Sequence, residues 1–165
     1  IYEAIMGNSD HSSGSVKYDG TLIQDLDIGQ IRNHIQIVAH DQFFAGTLRE
    51  NLVGLGGERE FTETEIQDVL LRTGLFENVE NLPEKLETKI RPNGYPFTKS
   101  QLLAIQVARA LLVKPRILFM TPDYEQISTY KRRLIYKELL SKTNKWTLLF
   151  FTQRYYKGDF DRMVM

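Results

Sequence analysis

Side chains that could do chemistry are few in this sequence. It contains no cysteine, which removes thiol nucleophiles, disulfide frameworks and Cys-containing zinc sites. Its three histidines, His11, His34 and His40, have no spacing that places two on one helix face, so no metal centre is expected. A phosphate-cradling loop of the form G-x4-G-K-[ST] is absent. Gly54-Leu-Gly-Gly57 also fails the dinucleotide fingerprint, because Arg59 stands where the third glycine belongs. What remains are the residues that follow apolar runs of strand length, since open parallel sheets bind ligands beyond the carboxyl ends of their strands. They are His40, the pair Thr121-Pro122, and Gln153. Only the histidine among them titrates near neutral pH.

Such positions need elements to hold them, and the pattern supplies these. Ser15 to Asp19 alternates like a half-exposed strand, turns at Asp19-Gly20 and returns through Thr21 to Ile23, an edge hairpin. Asp27 is placed to cap a short helix to about Asn33, and Ile35 to Ala39 has strand length. Thr47 is a good N-cap for a turn of helix through Leu52. Thr62 with Glu65 has the form of a capping box, opening a helix that Gly74 should end. A second box, Thr98-Lys-Ser-Gln101, opens a helix to about Val113 that is apolar nearly all round and therefore mostly buried. Lys114-Pro115 stops it. Ile117 to Met120 and Thr147 to Thr152 read as buried strands, with a charged helix from about Ser128 to Leu140 between them and the start of one more strand at Asp161 to Met165. Strands alternating with helices predict an α/β fold with a parallel sheet.

Of the 165 residues, 42% are apolar and 25% charged, enough for one ordinary core. Lys+Arg and Asp+Glu both number 21, so the whole molecule exerts no net pull on nucleic acid or an acidic membrane, and no nucleic-acid partner is expected. Lys131-Arg-Arg133 with Lys137, Lys142 and Lys145 is expected to be a solvated face, and Trp146 and Tyr155-Tyr156 packing or loop residues. No apolar run approaches the length of a bilayer span.

The order of these segments resembles the nucleotide-binding domain of ATP-binding cassette (ABC) transporters, of the exporter type. The resemblance is carried by Ser13-Gly-Ser-Val-Lys-Tyr-Asp-Gly20, Ile35-Gln-Ile-Val-Ala-His-Asp41, the F-x-G-T-x-x-x-N element Phe44 to Asn51, and Thr88-Lys-Ile-Arg-Pro-Asn-Gly94. Phe97-Thr-Lys-Ser-Gln101 stands in the place of the L-S-G-G-Q signature, and Ala108-Arg-Ala-Leu-Leu112 is similar to the helix that follows it. It implies a P-loop NTPase-like cassette with an antiparallel edge hairpin and a helical insertion, the helical and signature region lying at about 48–113. It also implies that residues 1–165 are a single partial domain, incomplete at both ends. The Walker A loop is expected upstream of Ile1, and the terminal strands beyond Met165.

The family activity is ATP hydrolysis coupled to export, with ATP and Mg2+ as cofactors. The implied partners are a second nucleotide-binding domain and a transmembrane domain, at the cytoplasmic face of the cell membrane. Against that pattern the chemical positions depart. His40 stands for the Q-loop glutamine, Thr121 and Pro122 for the Walker B Asp-Glu, Ser128 for the D-loop aspartate and Gln153 for the switch histidine. Threonine keeps an oxygen without charge, and proline has no side-chain acceptor with which to orient water. The signature-equivalent Thr98, Lys99, Ser100 and Gln101 keep a capped helix N-terminus that can meet a phosphate held by an opposing domain, with Lys99 and Ser100 in place of the glycines. These departures imply a catalytically degenerate copy. The other expectation is a noncatalytic interaction or regulatory module that keeps the cassette fold.

Overall fold

The computed structural model describes residues 2–5, 14–27, 29, 31, 34–39, 41–54, 59–152 and 160–161. In chain order its elements are α1 (Tyr2–Ile5), β1 (Lys17–Tyr18), β2 (Thr21–Leu22), β3 (Ile35–Val38), β4 (Gly46–Thr47), α2 (Leu48–Val53), α3 (Glu63–Arg72), α4 (Phe76–Glu80), β5 (Lys89–Ile90), α5 (Lys99–Val113), β6 (Ile117–Met120), α6 (Thr129–Leu139) and β7 (Thr147–Phe150). The sites of His40 and Gln153, most of the short helix expected after Asp27, and the last strand expected at Asp161 to Met165 lie outside the described residues.

The centre is a three-stranded parallel sheet in the order β3-β6-β7, with Ile35, Ile117 and Thr147 in register. Its middle strand is the wholly apolar run, and Leu118, Phe119 and Met120 are buried. Strand β7 departs from the expectation of a buried strand. Leu148, Leu149 and Phe150 are half-buried, because among the described residues β7 has a strand neighbour on one side only. It also ends at Phe150, although the N–H of Phe151 still donates to Met120 O at 2.9 Å. β1 and β2 form the expected antiparallel hairpin around Asp19 and Gly20, shorter than the alternation suggested and paired as a sheet of their own among the described residues.

The helical layer is fixed by local chemistry. Capping boxes open α2 (Thr47, Glu50), α3 (Thr62, Glu65) and α5 (Thr98, Gln101), each pairing orphan backbone donors that a helix start leaves open. Helix α3 closes at Gly74, whose φ of 69° suits glycine. The N–H of Gly74 bonds Leu71 O and that of Leu75 bonds Leu70 O, a Schellman closure with Leu70 and Leu75 both buried.

Helix α5 is the hub. It packs on β3, α2, α3 and α6, and every residue from Leu102 to Leu112 except Arg109 is buried. Burial on all sides explains its nearly continuous apolar sequence. Lys114, left-handed at φ 52°, and Pro115 end it. The pairing of β4 with β5 (Gly46 with Ile90, Thr47 with Lys89) and the 2.9 Å bond from Leu48 N–H to Thr88 O bring two distant stretches together.

Candidate functional site

At the carboxyl end of β6 the chain leaves the sheet through Thr121, and Pro122 opens a 3-10 turn, Pro122–Gln126. Proline suits that first helical position because the N–H it lacks would have no partner there. The Thr121 hydroxyl lies 3.2 Å from both Val38 O and Asp123 Oδ2, so its one proton is shared between the end of β3 and the turn. The turn brings two carboxylates to this end of the sheet. Asp123 sits beside Thr121, and Glu125 Oε1 accepts from the Thr152 hydroxyl at 2.6 Å, just past β7. Arg132 holds the turn from α6 through Glu125 O at 3.2 Å. At Thr121 and Pro122 themselves there is no side-chain charge.

The start of α5 is the second place. Thr98 Oγ1 accepts from the Gln101 N–H at 3.3 Å, and Gln101 Oε1 accepts from the Thr98 N–H at 2.8 Å and from its hydroxyl at 2.9 Å. The N–H groups of Lys99 and Ser100 lie in the first turn, where no intrahelical acceptor exists. Both α2 and α3 carry glutamate in the first turn, Glu50 and Glu65; α5 carries no acid there and has the exposed Lys99. Its positive dipole end therefore has no acid in its own first turn to neutralise it.

Between these places runs a segment the sequence pattern marked without explaining. Asn51 is fully buried, and its Nδ2 donates to Phe44 O (2.9 Å) and Thr47 O (3.0 Å) while Oδ1 accepts from the Phe44 N–H (3.1 Å). A Cβ at Gly46 would lie 2.6 Å from Glu50 Oε2 and 3.2 Å from the Phe44 ring, so any side chain there would have to displace the Glu50 carboxylate from its capping bond to the Thr47 N–H. Arg109 reaches from α5 to Asn51 O at 2.6 Å, with its guanidinium over the Phe44 ring. Burial holds Arg109 below the usual arginine pKa. Thus Phe44, Gly46, Thr47 and Asn51 form one latch that ties the chain following β3 to α2 and α5.

The family model for ABC transporters matches residues 1–120. The chain belongs to the ABC transporter family. It is 31% identical over 139 residues to Multidrug resistance protein 4 of Entamoeba histolytica, covering 83% of this chain and 11% of that protein. It is also 31% identical over 156 residues to the Bacillus subtilis protein called Uncharacterized ABC transporter ATP-binding protein YwjA, covering 93% of this chain and 27% of that one. A bacterial Atm1-family ABC exporter with ATP bound shares the fold at a TM-score of 0.78 and 20% identity, over 93% of this chain and 27% of that chain. The chain therefore spans about a quarter or less of the length of these proteins.

β3 and β6 are the strands that the sequence resemblance expects to lead into the Q-loop and Walker B positions, and α5 is the helix expected to follow the signature. The structure brings Thr121 and Pro122 to the carboxyl edge of the sheet and places Thr98 to Gln101 at the start of α5. An anion fits the latter, where two backbone N–H groups and an ammonium are available. A magnesium ion fits Thr121 and Pro122 poorly: one neutral hydroxyl and a proline do not make a hard-cation site, and no group of three acidic or histidine side chains gathers among the described residues. Also among the described residues, no helix is long and apolar enough to cross a membrane. The latch residue Arg109 was missed by sequence reasoning, because its bond joins residues 58 apart; Asp123 and Glu125, close to Thr121-Pro122 in the sequence, were readable as acids that a shifted loop could present, and Asp123 does lie beside Thr121.

Proposed function

We propose that this chain is the nucleotide-binding part of an exporter-type ABC transporter, acting at the cytoplasmic face of the membrane with a transmembrane domain and a second nucleotide-binding domain as partners. It contributes a signature-side surface, Thr98, Lys99, Ser100 and Gln101, to ATP held by that second domain, and turns over little or no ATP with its own β6 end. The observation that carries this reading is the contrast between the two places. The start of α5 keeps free N–H donors, a cap and a cation, while the positions that should orient water and hold magnesium are Thr121 and Pro122.

When ATP and its metal are bound they supply the phosphoanhydride and the charge neutralisation of phosphoryl transfer. The residues of this chain then have limited work. The N–H groups of Lys99 and Ser100 point along the axis of α5 toward a terminal phosphate, and the Lys99 ammonium adds a screened surface charge. Thr98 and Gln101 hold that first turn in shape. At β6, the Thr121 hydroxyl donates a hydrogen bond and the Pro122 side chain accepts none, so neither of these two residues takes a proton from water. By the sequence resemblance, His40 and Gln153 stand for the Q-loop and switch residues.

Steady-state ATP turnover and equilibrium ATP binding by the intact transporter test the reading. It expects nucleotide binding that weakens when Lys99 is changed to Glu, with turnover insensitive to loss of Thr121. Turnover that disappears in Thr121→Val would sink it. A second reading, a noncatalytic module that keeps the cassette fold for docking, is favoured by one fact: the Thr98 hydroxyl and the Gln101 side-chain oxygen already serve in capping α5, a role that needs no ligand. An intact protein that associates with its partner yet shows no ATP-dependent thermal shift selects that second reading.

A further inference from the structure

The neutral total charge conceals an uneven distribution. Around α3 the acidic residues are matched: Glu63 and Glu87 bridge Arg49, Glu65 pairs with Arg59, Asp68 with Arg72, and Glu80 with Lys85. The opposite holds for α6 and the connection into β7. The single carboxylate of α6, Glu138, turns inward to Arg72 at 2.6 Å. Arg133 and Lys137, one turn apart on its exposed side, are left without a carboxylate partner among the described residues, as are Lys142, Lys145 and Arg116. The sheet gathers the last of these. Ile117 and Thr147 are in register, and the Thr147 N–H donates to Arg116 O at 2.8 Å, which sets Arg116 beside the Lys145-Trp146 stretch at the amino edge. That edge is the far end of β6 from Thr121, so a nucleotide at the carboxyl end does not account for these cations. Tyr130, 75% exposed, stands one turn before Arg133.

We propose that this surface, Arg133 and Lys137 on α6 with Lys142, Lys145 and Arg116 at the amino edge of the sheet, binds a short acidic polypeptide segment of a partner protein. Charge complementarity sets the sign of the ligand, and two observations set its class. The patch is small: α6 has 11 residues and so is about 16 Å long, the reach of a few extended residues. A bilayer or a nucleic-acid duplex extends well past it and meets the exposed Glu77 and Glu84 of the neighbouring acidic face, on a chain with no net charge to offset that repulsion. Among the described residues the patch offers bases little to stack on beyond the single exposed ring of Tyr130, because the Trp146 indole is half-buried and its N–H is committed to Leu139 O at 3.1 Å.

The test is fluorescence anisotropy of a labelled oligoglutamate peptide titrated with the intact protein at low and at raised salt. Expected are saturable binding that weakens with salt, and a loss of about tenfold or more in the variant Arg133→Glu, Lys137→Glu, Lys142→Glu, Lys145→Glu, since four exposed pairs each contribute a fraction of a factor of ten. The loop variant Lys142→Glu, Lys145→Glu leaves α6 intact and should lose about threefold. Lys17→Glu with Lys89→Glu, changed far along the chain, should bind as the parent does. No saturable binding by the parent, or equal binding by the four-site variant, overturns the proposal. Tighter binding of oligouridylate or of phosphatidylserine vesicles than of the peptide, at matched charge and salt, overturns it in favour of those surfaces. None of these outcomes bears on ATP binding at the start of α5.

Discussion

The start of α5 and the end of β6 are the two places where this chain could meet a nucleotide, and they differ in how tightly folding itself constrains them. Thr98 and Gln101 satisfy backbone donors of the most buried helix in the molecule, so their side chains are needed whether or not a phosphate arrives. The residues after β6 have no such duty. Thr121 bonds lightly to Val38 O and Asp123, and Pro122 starts a turn that many residues could start.

That contrast can be broken or sharpened by substitution. Leu103, 1% exposed at the centre of α5, should cost about 3 kcal/mol as Leu103→Ala, the usual penalty for a core leucine, measured by urea unfolding. Thr98→Ala removes a cap and should cost about 1 kcal/mol in the same assay; no change would mean that the box does not hold the helix start. Gln101→Glu gives α5 the first-turn charge that Glu50 and Glu65 give their helices, and should stabilise by about 0.5 kcal/mol while weakening phosphate or ATP binding. If both stability and binding rise, the anion is not meeting this turn.

Acid should separate two of the boxes. The Glu65 carboxyl is held below its ordinary value of 4.5, chiefly by the backbone N–H of Thr62. A depressed carboxyl contributes stability that is present above the unfolded-state value and lost as pH falls through the folded one. The α3 box should therefore loosen as pH falls below about 4.5, while the Gln101 box, which carries no titrating group, persists. Amide exchange at Glu65 and Gln101 down a pH series reads this directly, and Glu65→Gln should abolish the difference. The smallest effect belongs to β6: Thr121→Val with Pro122→Ala should change ATP turnover by less than about twofold, against the 10²–10⁴ that removal of a working acid or base costs.

How far the sequence revealed this structure depended on distance along the chain. Capping boxes at Thr62 and Thr98 and the closing Gly74 act within a turn or two, and all three appear as the spacing indicated. The buried strand Ile117–Met120 was readable from its unbroken apolar run. Helix α4 was not, because its five residues lack a side-chain cap. Nor was the β4-β5 pair, in which two residues meet two others some forty positions away. The same rule divides the site. Thr98 to Gln101 and Thr121-Pro122 could be picked out from local pattern, but the bond from Arg109 to Asn51 depends on the packing of α5 against α2 and has no local signature.

The β4-β5 pair has a consequence for engineering. Because the chain departs at Thr47-Leu48 and comes back at Thr88-Lys89 through one hydrogen-bonded rung, the backbone entry and exit of the intervening helices lie about 5 Å apart. A relative's counterpart of residues 48–88 can be joined there without stretching the β3-β6-β7 sheet, provided that it keeps the faces of α2 and α3 that pack on α5 and the Asn51 that meets Arg109.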